Sequence, residues 1–295
     1  MRWHCTAYGP PVAAILGPQM RYGGRCCRHR GGEVGAIVIY LLAGCVSGFL
    51  SGLFGVGGGA VIVPVLLLVF TAQGVSADVM MHMAVAGSLA VIMITSVSSI
   101  RAHWGHDGVL WSAALRLTPG IVGGALLGAY LADSMSAGLL QLVFAVFLVT
   151  MAVKMGLNLR PRVAGTLPGT AGLLLVGSAI GLLSALVGVG GGALTTPFLC
   201  RCGVAIRQAV GTSAACGFPI AAAGTLGYMV TGWNNPALPP LTTGYVYWPA
   251  VAGIALAGVL VAPLGARLAH RLPQLALQRM FAIFLAAVAV KLMVG

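Results

Sequence analysis

The sequence predicts an all-α polytopic membrane protein built from two inverted-topology repeats, each a glycine-broken helix pair plus three transmembrane helices. Three observations support this prediction. The chain is 59% hydrophobic and 7% charged, with a mean hydropathy of +1.01, whereas soluble domains have about 25% charged residues. Apolar segments, about 8–10 in all, follow one another along the 295 residues. One glycine-rich motif interrupts this apolar sequence twice.

The glycine-rich motif runs from Ser51 to Pro64 and returns without a gap from Ser184 to Pro197, 133 positions later. Both copies contain three consecutive glycines before an alanine and end in the proline. Other segments also recur, such as 84–88 at 209–213. A duplication of this length indicates an internal repeat.

The elements follow in order. Residues 1–33 are glycine-rich and basic, and we expect a weakly ordered extension. Repeat 1 is expected at 34–158 and repeat 2 at 171–295, joined by a polar cytoplasmic linker at 159–170. In repeat 1 an apolar segment precedes the glycine break, and a short piece of about half a bilayer follows it. The remaining expected spans are 79–100, 109–132 and 139–155 in repeat 1, and 209–230, 247–266 and 277–293 in repeat 2.

The length of the broken segment predicts that the chain turns back at each break. A continuous helix over residues 34–70 would be ~55 Å long against a hydrocarbon core of ~30 Å. Each repeat then makes an odd number of net crossings, so the two are inverted. The positive-inside tendency makes one face cytoplasmic, although the arginines of the extension fall on the other. Ten basic residues share the cytoplasmic face: Arg101, Arg116, Lys154, Arg160, Arg162, Arg201, Arg207, Arg267, Arg271 and Arg279.

Interrupted helices point to a binding site. In a membrane, a break is tolerated only where it is buried in protein or faces a wet cavity. A short helix that begins after the glycines presents free N–H groups and a positive dipole end, which favour an anion. Matching breaks in two halves are typical of transporter sites. The alternative is that the glycines only allow close helix packing, and the two interpretations are compatible.

The residues also resemble a known family. The doubled break, the Ala-Val-Gly-Thr-Ser motif at 209–213 and the expected loop Arg101–Asp107, followed by Pro119-Gly and Leu127-Gly-Ala, are similar to the sulfite exporter TauE/SafE family of membrane permeases. The resemblance covers roughly residues 34–293. It implies a multi-pass protein of the cytoplasmic membrane that transports small anions such as sulfite or organosulfonates, in the outward direction. The two repeats differ at one point of this motif: the first has Ala86-Gly87-Ser88 where the second has Gly211-Thr212-Ser213. The first repeat therefore lacks the hydroxyl group that Thr212 provides in the second.

The candidate site combines amides and hydroxyls from both repeats. Pro64 and Pro197 are expected to keep the short helices kinked or short. Arg101 and Arg207, at span ends, are expected to attract the anion from the cytoplasm. His82 could relay protons or serve as a hydrogen-bonded packing residue. The expected substrate-binding residues are Gly57, Gly58, Gly59, Gly190, Gly191, Gly192, Ser51, Ser184, Ser88, Thr212 and Ser213.

Other classes of function lack a sequence signal. No acid pair, catalytic triad or nucleotide-binding loop is evident, so we expect no enzyme, and the cysteines lack the spacing of a metal site. The net charge of +12 belongs to loops between spans rather than to a nucleic-acid surface. Expected partners are a small anionic substrate and the lipid bilayer, without a cofactor. A passive channel and a membrane-embedded assembly subunit remain alternatives; a channel would carry a continuous polar stripe. The oligomeric state stays open.

Overall fold

The computed structural model describes residues 31–54, 58–104, 109–157, 165–269 and 273–294. By its internal contacts the chain divides into residues 1–36 and residues 37–295, and every contact discussed below lies within the second unit. The described residues form ten helices and one short hairpin. The first five helices are α1 (Gly31–Phe54), α2 (Gly59–Ala72), α3 (Ala77–Trp104), α4 (Trp111–Asp133) and α5 (Ala137–Gly156). The others are α6 (Thr170–Val187), α7 (Gly192–Arg201), α8 (Ile206–Thr231), α9 (Trp248–Ala269) and α10 (Gln274–Val294), with antiparallel strands β1 (Thr242–Thr243) and β2 (Val246–Tyr247) before α9.

The all-α membrane fold is confirmed. Seven of the described helices are long and apolar enough to cross a membrane, and the apolar part of α1, Val38–Ser51, and α2 are shorter. Both breaks separate helices where the glycines predict it, after Phe54 and after Val187. The expected loop at Arg101–Asp107 is wrong for its first four residues, because α3 continues through Trp104. Residues 105–107 lie outside the described ranges, and the β-hairpin was not predicted.

Small residues bring α4 and α6 into backbone contact. A Cβ on Gly120 would overlap the carbonyl oxygen of Leu174, and one on Gly128 would lie 2.7 Å from that of Leu182. Only glycine permits such an approach, as in other membrane helix pairs. Because both numbers rise together, the two helices run parallel. The small-residue face of α4 therefore packs against α6 of the other half.

The corresponding pair, α1 and α9, packs in the same way. A Cβ on Gly44 would lie 2.8 Å from the Cβ of Ala257, and one on Gly48 would lie 2.5 Å from the Cα of Gly258. Farther back along both helices, Gly253 faces Tyr40. The fourth helix of each set of five thus lies parallel to the first helix of the other set.

Two further pairs join equivalent helices of the two sets. In the α3–α8 pair, Leu89 packs on Gly224, and His82 near the start of α3 stacks on Tyr245, which follows α8. In the α5–α10 pair, Gln141 donates a hydrogen bond to the carbonyl oxygen of Leu292 (2.6 Å), while Gly156 faces Ala282. In both pairs, contacting residues have falling numbers in the second helix as the numbers rise in the first, so the two helices run antiparallel.

The chain turns back at the first break. The hydroxyl group of Tyr40, early in α1, donates a 2.6 Å hydrogen bond to the side chain of Gln73, immediately after α2. The Tyr40 and Phe70 rings also both pack on Tyr247, with centroids 6.0 and 6.3 Å away. The beginning of α1 and the end of α2 are therefore neighbours. This return agrees with the length argument made from the sequence.

Candidate functional site

The two glycine breaks touch each other. A Cβ on Gly59, at the start of α2, would lie 2.6 Å from the Cα of Val189 and would overlap the carbonyl oxygen of Gly188. Gly188 ends α6 in the left-handed conformation, with φ of 70°. Glycine is needed at both positions, at Gly59 for the close approach and at Gly188 for the positive φ. The breaks predicted in separate repeats therefore form one structural feature.

The second break lies against the middle of the two most buried spans, α3 and α8. On one side, Ser88 of α3 donates a 2.8 Å hydrogen bond to the carbonyl oxygen of Gly188. On the other, a Cβ on Gly191 would lie 2.9 Å from Ile220 and 3.3 Å from the carbonyl oxygen of Ser213. Ser88 and residues 213–220 fall near the centres of the apolar segments 77–97 and 206–231. The contact between the breaks is thus central along the helix axes.

Unused hydrogen-bond donors collect at the start of α7. The first N–H groups there with a partner are those of Leu194 and Thr195, which donate to the carbonyl oxygen of Gly191 at 3.2 and 2.7 Å. The four preceding N–H groups, of residues 190–193, have no acceptor among the described residues. They belong to the positive end of a helix. Gly190, Gly191 and Ala193 are buried, so these donors are shielded from bulk solvent.

Two hydroxyl groups that flank the second break, one in the last turn of α6 and one in the first turn of α7, are also unpaired within the described part of the chain. Ser184 and Thr195 are 1% and 0% exposed, and neither side-chain oxygen has a hydrogen-bond partner. The Thr195 oxygen would lie 3.1 Å from a Cβ on Gly191. An unsatisfied buried hydroxyl costs about 1–3 kcal/mol. Such groups call for a functional explanation.

The two breaks differ in conformation. Gly58 has φ of 78°, whereas Gly191, its counterpart 133 positions later, has φ of −49°. Gly58 therefore lies in the left-handed region that favours glycine, whereas Gly191 does not. A Cβ on Gly58 would face the Ser51 hydroxyl at 3.1 Å, so Ser51 lies at the first break. Gly57 lies outside the described residues.

The remaining predicted hydroxyls are already hydrogen-bonded. The Thr212 oxygen accepts a bond from the N–H of Leu110 (2.9 Å). The Ser213 hydroxyl donates to the carbonyl oxygen of Val210 and accepts from Thr196, both at 2.9 Å. Gly192, half-buried, is the first residue of α7. Of the predicted hydroxyl residues, Ser184 lies next to the second break and is unpaired in the described residues. Ser88, Thr212 and Ser213 instead form hydrogen bonds with other segments of the chain.

Sequence reasoning missed Thr195 and Thr196. A signal was present, because the second motif has two threonines where the first has Ile62 and Val63. Two hydroxyl side chains replace two branched apolar ones at the third and fourth positions after the matching glycine triplets. This difference between the repeats indicates that the second break is the more polar one.

The two prolines lie within the short helices, and the two arginines lie near helix ends. Pro64 and Pro197 are each the sixth residue of their short helices. Arg207 is exposed in the first turn of α8. Arg101 belongs to the last turn of α3. Both arginines are therefore near helix ends rather than at the breaks.

His82 is not at the breaks. It is 4% exposed in the second turn of α3, and its Nε2 atom lies 2.9 Å from the carbonyl oxygen of Ala132. Its other ring nitrogen, Nδ1, is buried without a partner in the described part of the chain. Within those residues, no group of three or more His, Cys, Asp and Glu side chains could hold a metal ion.

Comparisons with known proteins relate this chain to membrane transporters. The sequence profile of the sulfite exporter TauE/SafE family matches residues 40–292. A probable membrane transporter protein of Haemophilus influenzae is 35% identical over 257 residues, which are 87% of this chain and 97% of the relative. Probable membrane transporter proteins of Methanocaldococcus jannaschii and Bacillus subtilis are each 26% identical, over 77% and 68% of this chain and 81% of each relative. No solved structure gives a significant match. These names indicate a multi-pass membrane transporter rather than an enzyme.

Proposed function

The chain belongs to the sulfite exporter TauE/SafE family and is a membrane transporter, and from this premise we propose that it carries small oxyanions of the sulfite and organosulfonate type out of the cell by alternating access. The paired glycine breaks are the proposed substrate site. The observation that carries the proposal is the contact between Gly59 and Gly188 beside a group of buried, unpaired donors.

The proposed site binds an anion without a fixed positive charge. No Lys or Arg of the described ranges occupies the middle of a helix. The available groups are the N–H groups at the start of α7, the dipole of that helix and the hydroxyls of Ser184 and Thr195. Donors of this kind suit a substrate that must be released again, because an unpaired full charge would hold it more tightly.

The proposed alternating access uses two inverted repeats, residues 34–158 and 171–295. Equivalent helices of inverted repeats run in opposite directions, and the α3–α8 and α5–α10 pairs are antiparallel. The parallel contact of α4 with α6 also has a counterpart in that of α9 with α1. A two-fold axis that relates the two sets of five helices would require this correspondence. Rocking of such repeats around a central site is the usual basis of transport.

The proposed orientation follows from the charges. Short turns join most successive helices, so their directions alternate. Arg116 is near the start of α4, and Asp78 and Asp133 lie at the opposite end of the α3–α4 pair with Lys291 of α10. The positive-inside tendency assigns the basic end to the cytoplasm. The basic end is formed by Arg101, Arg116, Lys154, Arg201, Arg207, Arg267 and Arg279.

Counterflow in proteoliposomes tests the proposal. Vesicles preloaded with unlabelled sulfite, sulfoacetate or sulfate are diluted into a trace of the same labelled anion. A transporter that alternates transiently concentrates the label, whereas a passive channel only equilibrates it. We expect accumulation with sulfite or a sulfonate. Absence of any overshoot, with reconstituted protein verified, would contradict the proposal.

Substitution of Thr195 by valine sharpens this experiment. Valine has the same shape and lacks the hydroxyl, so removing the unpaired group should leave stability unchanged or raise it by about 1 kcal/mol. Counterflow should nevertheless fall about tenfold if the hydroxyl contacts the anion, equivalent to about 1.4 kcal/mol. Thr225→Val, at another fully buried and unpaired threonine, is the matched control and should transport normally. Equal counterflow by the Thr195→Val and Thr225→Val proteins would show that the Thr195 hydroxyl does not contact the anion.

A further inference from the structure

A polar cluster closes one end of the helix bundle, away from the breaks. It consists of His82, Asp133, Asn235 and Tyr245 and is called the Tyr245 cluster below. The Tyr245 hydroxyl donates a 2.9 Å hydrogen bond to Oδ1 of Asp133 and accepts one of 3.3 Å from the side-chain amide of Asn235. The His82 ring stacks on the Tyr245 ring, with centroids 5.1 Å apart and planes 25° apart.

The Tyr245 cluster joins the two sets of helices. His82 belongs to α3 and Asp133 to α4, whereas Asn235 and Tyr245 belong to the segment between α8 and α9. The N–H of Tyr245 also donates to the carbonyl oxygen of Tyr228 in α8 (3.3 Å). Tyr245 is only 5% exposed. Any movement of one set against the other at this end must break the bond between Tyr245 and Asp133.

His82 is the member of the cluster with an unused atom. Because its Nε2 faces a carbonyl oxygen, that nitrogen carries the hydrogen, and the neutral ring then has a bare lone pair at Nδ1. That lone pair is buried and has no donor in the described residues. Histidine is the side chain whose charge ordinarily changes between about pH 5 and pH 8. A proton taken up at Nδ1 would need an acceptor.

The carboxylate of the cluster belongs to Asp133, which follows Ala132, the residue whose carbonyl oxygen lies beside His82 Nε2. That carboxylate is occupied by Tyr245. Among the packed elements, the segment after α8 brings the phenol of Tyr245 against His82, and the phenol of Tyr228 contacts Tyr245 in turn. Asp78 lies one turn before His82 on α3. The described parts of α2 and α6 contain no titratable side chain, and Lys154 of α5 and Arg267 of α9 lie in the last turns of their helices.

We propose that His82 is a proton-binding site that opens this end of the transporter. In the neutral state the Tyr245–Asp133 bond holds the two sets together. A proton from the adjacent aqueous phase adds to Nδ1 of His82, and the imidazolium then competes with Tyr245 for Asp133. Losing that bond frees the segment 232–247. Ser88, six residues farther along the same helix, bonds the Gly188 carbonyl, so α3 links this end to the breaks.

The proposal rests on the alternating access proposed above, and its test contains no substrate. In a background without native cysteines, Thr225→Cys places a thiol one turn below Tyr228, at a position that is 1% exposed. Asn234→Cys, exposed on the same segment, serves as reference, since thiol reactivity itself changes with pH. A membrane-impermeant thiol reagent is applied at about pH 7.5 and about pH 5.5, which bracket the range of histidine.

We expect the labelling of Thr225→Cys relative to Asn234→Cys to rise about threefold or more at the lower pH. His82→Gln can still donate to Ala132 but takes up no proton, and its ratio should stay low at both values. Tyr245→Phe lacks the bond to Asp133, and its ratio should be high at both. An unchanged pH response in His82→Gln, or a flat ratio with His82 present, would overturn the proposal. Because sulfite is absent, failure of the substrate assignment leaves this result readable.

Discussion

Gly59 packs directly against the carbonyl group of Gly188, so the two glycine motifs, which lie 133 positions apart in the chain, share one contact surface. Neither residue has room for a side chain there. Because each belongs to a different set of five helices, this contact couples the two sets at the centre of the molecule. The glycines therefore allow the helices to approach closely, and N–H groups without an acceptor in the described residues lie beside them. Both sequence-based interpretations are compatible with this geometry.

Gly59→Ala should damage this contact. The added Cβ would overlap the Gly188 carbonyl, and overpacking of this kind typically costs about 1–3 kcal/mol. Gly123→Ala is the matched control, because a Cβ there meets nothing within 4 Å and an alanine within a helix should stabilise by about 0.5–1 kcal/mol. Thermal unfolding of both purified variants in detergent measures the difference. A Gly59→Ala protein as stable as Gly123→Ala would show that the two motifs do not touch in the folded protein.

The proposed orientation predicts opposite labelling of two turns. Gly165→Cys, in the linker, should react only from the cytoplasmic side, because the basic helix ends lie there. Ser134→Cys, immediately after α4, should react only from outside. Both positions are exposed, so access to reagent rather than burial decides the result. Whole cells are labelled with an impermeant maleimide before and after permeabilisation. Labelling of both residues in intact cells would exclude inverted repeats.

Neutralising Arg207 should weaken the apparent affinity for the anion without abolishing transport. The side chain is exposed at the start of α8, so its charge can attract anions from solution. At physiological ionic strength, salt screens this attraction beyond about 8 Å. Arg207→Gln should therefore raise the KM for sulfite at low salt, and the gap from the unsubstituted protein should close at high salt. Arg279→Gln, also exposed at the basic end, controls for net charge. Complete loss of transport at every concentration would indicate a direct role.

Tyr245 predicts a loss of stability at alkaline pH. Burial raises the pKa of Tyr245, and hydrogen bonding to Asp133 adds to this effect, while the Asn235 amide opposes it. A pKa raised in the folded state means that the contribution is intact below the unfolded value of about 10 and is lost as pH rises above it. Tyr245→Phe should therefore lose less stability than the unsubstituted protein between about pH 9 and about pH 11. Parallel melting curves for the two proteins would contradict this.

Much of this architecture could be predicted from the sequence. The apolar spans and the glycine motif are visible in the local sequence, and the second copy of the motif supports the assignment made from the first. The conformational difference between Gly58 and Gly191 could not be predicted, since it depends on neighbours from other helices. The extension of α3 through Trp104 was missed because polar and charged residues such as Arg101 and His103 are also typical of loops.

The site itself was only partly predictable. Hydroxyl positions such as Ser184 follow from the repeated motif, but which hydroxyls remain unpaired is a tertiary property. Thr212 is bonded to the N–H of Leu110, 102 positions earlier, and no local pattern reveals that. Likewise His82 and Tyr245 are separated by 163 positions, so their stacking depends on the antiparallel packing of α3 and α8.

Counterflow of labelled sulfite by the Gly58→Val, Gly191→Val double variant tests the central claim most directly. Valine at Gly58 meets a positive φ, with a strain of roughly 1–3 kcal/mol, and at Gly191 it meets Ile220 and Thr195. The account predicts that the variant inserts into the membrane in normal amount and that counterflow is lost. Normal counterflow by this well-expressed double variant would contradict the account and place the substrate site elsewhere.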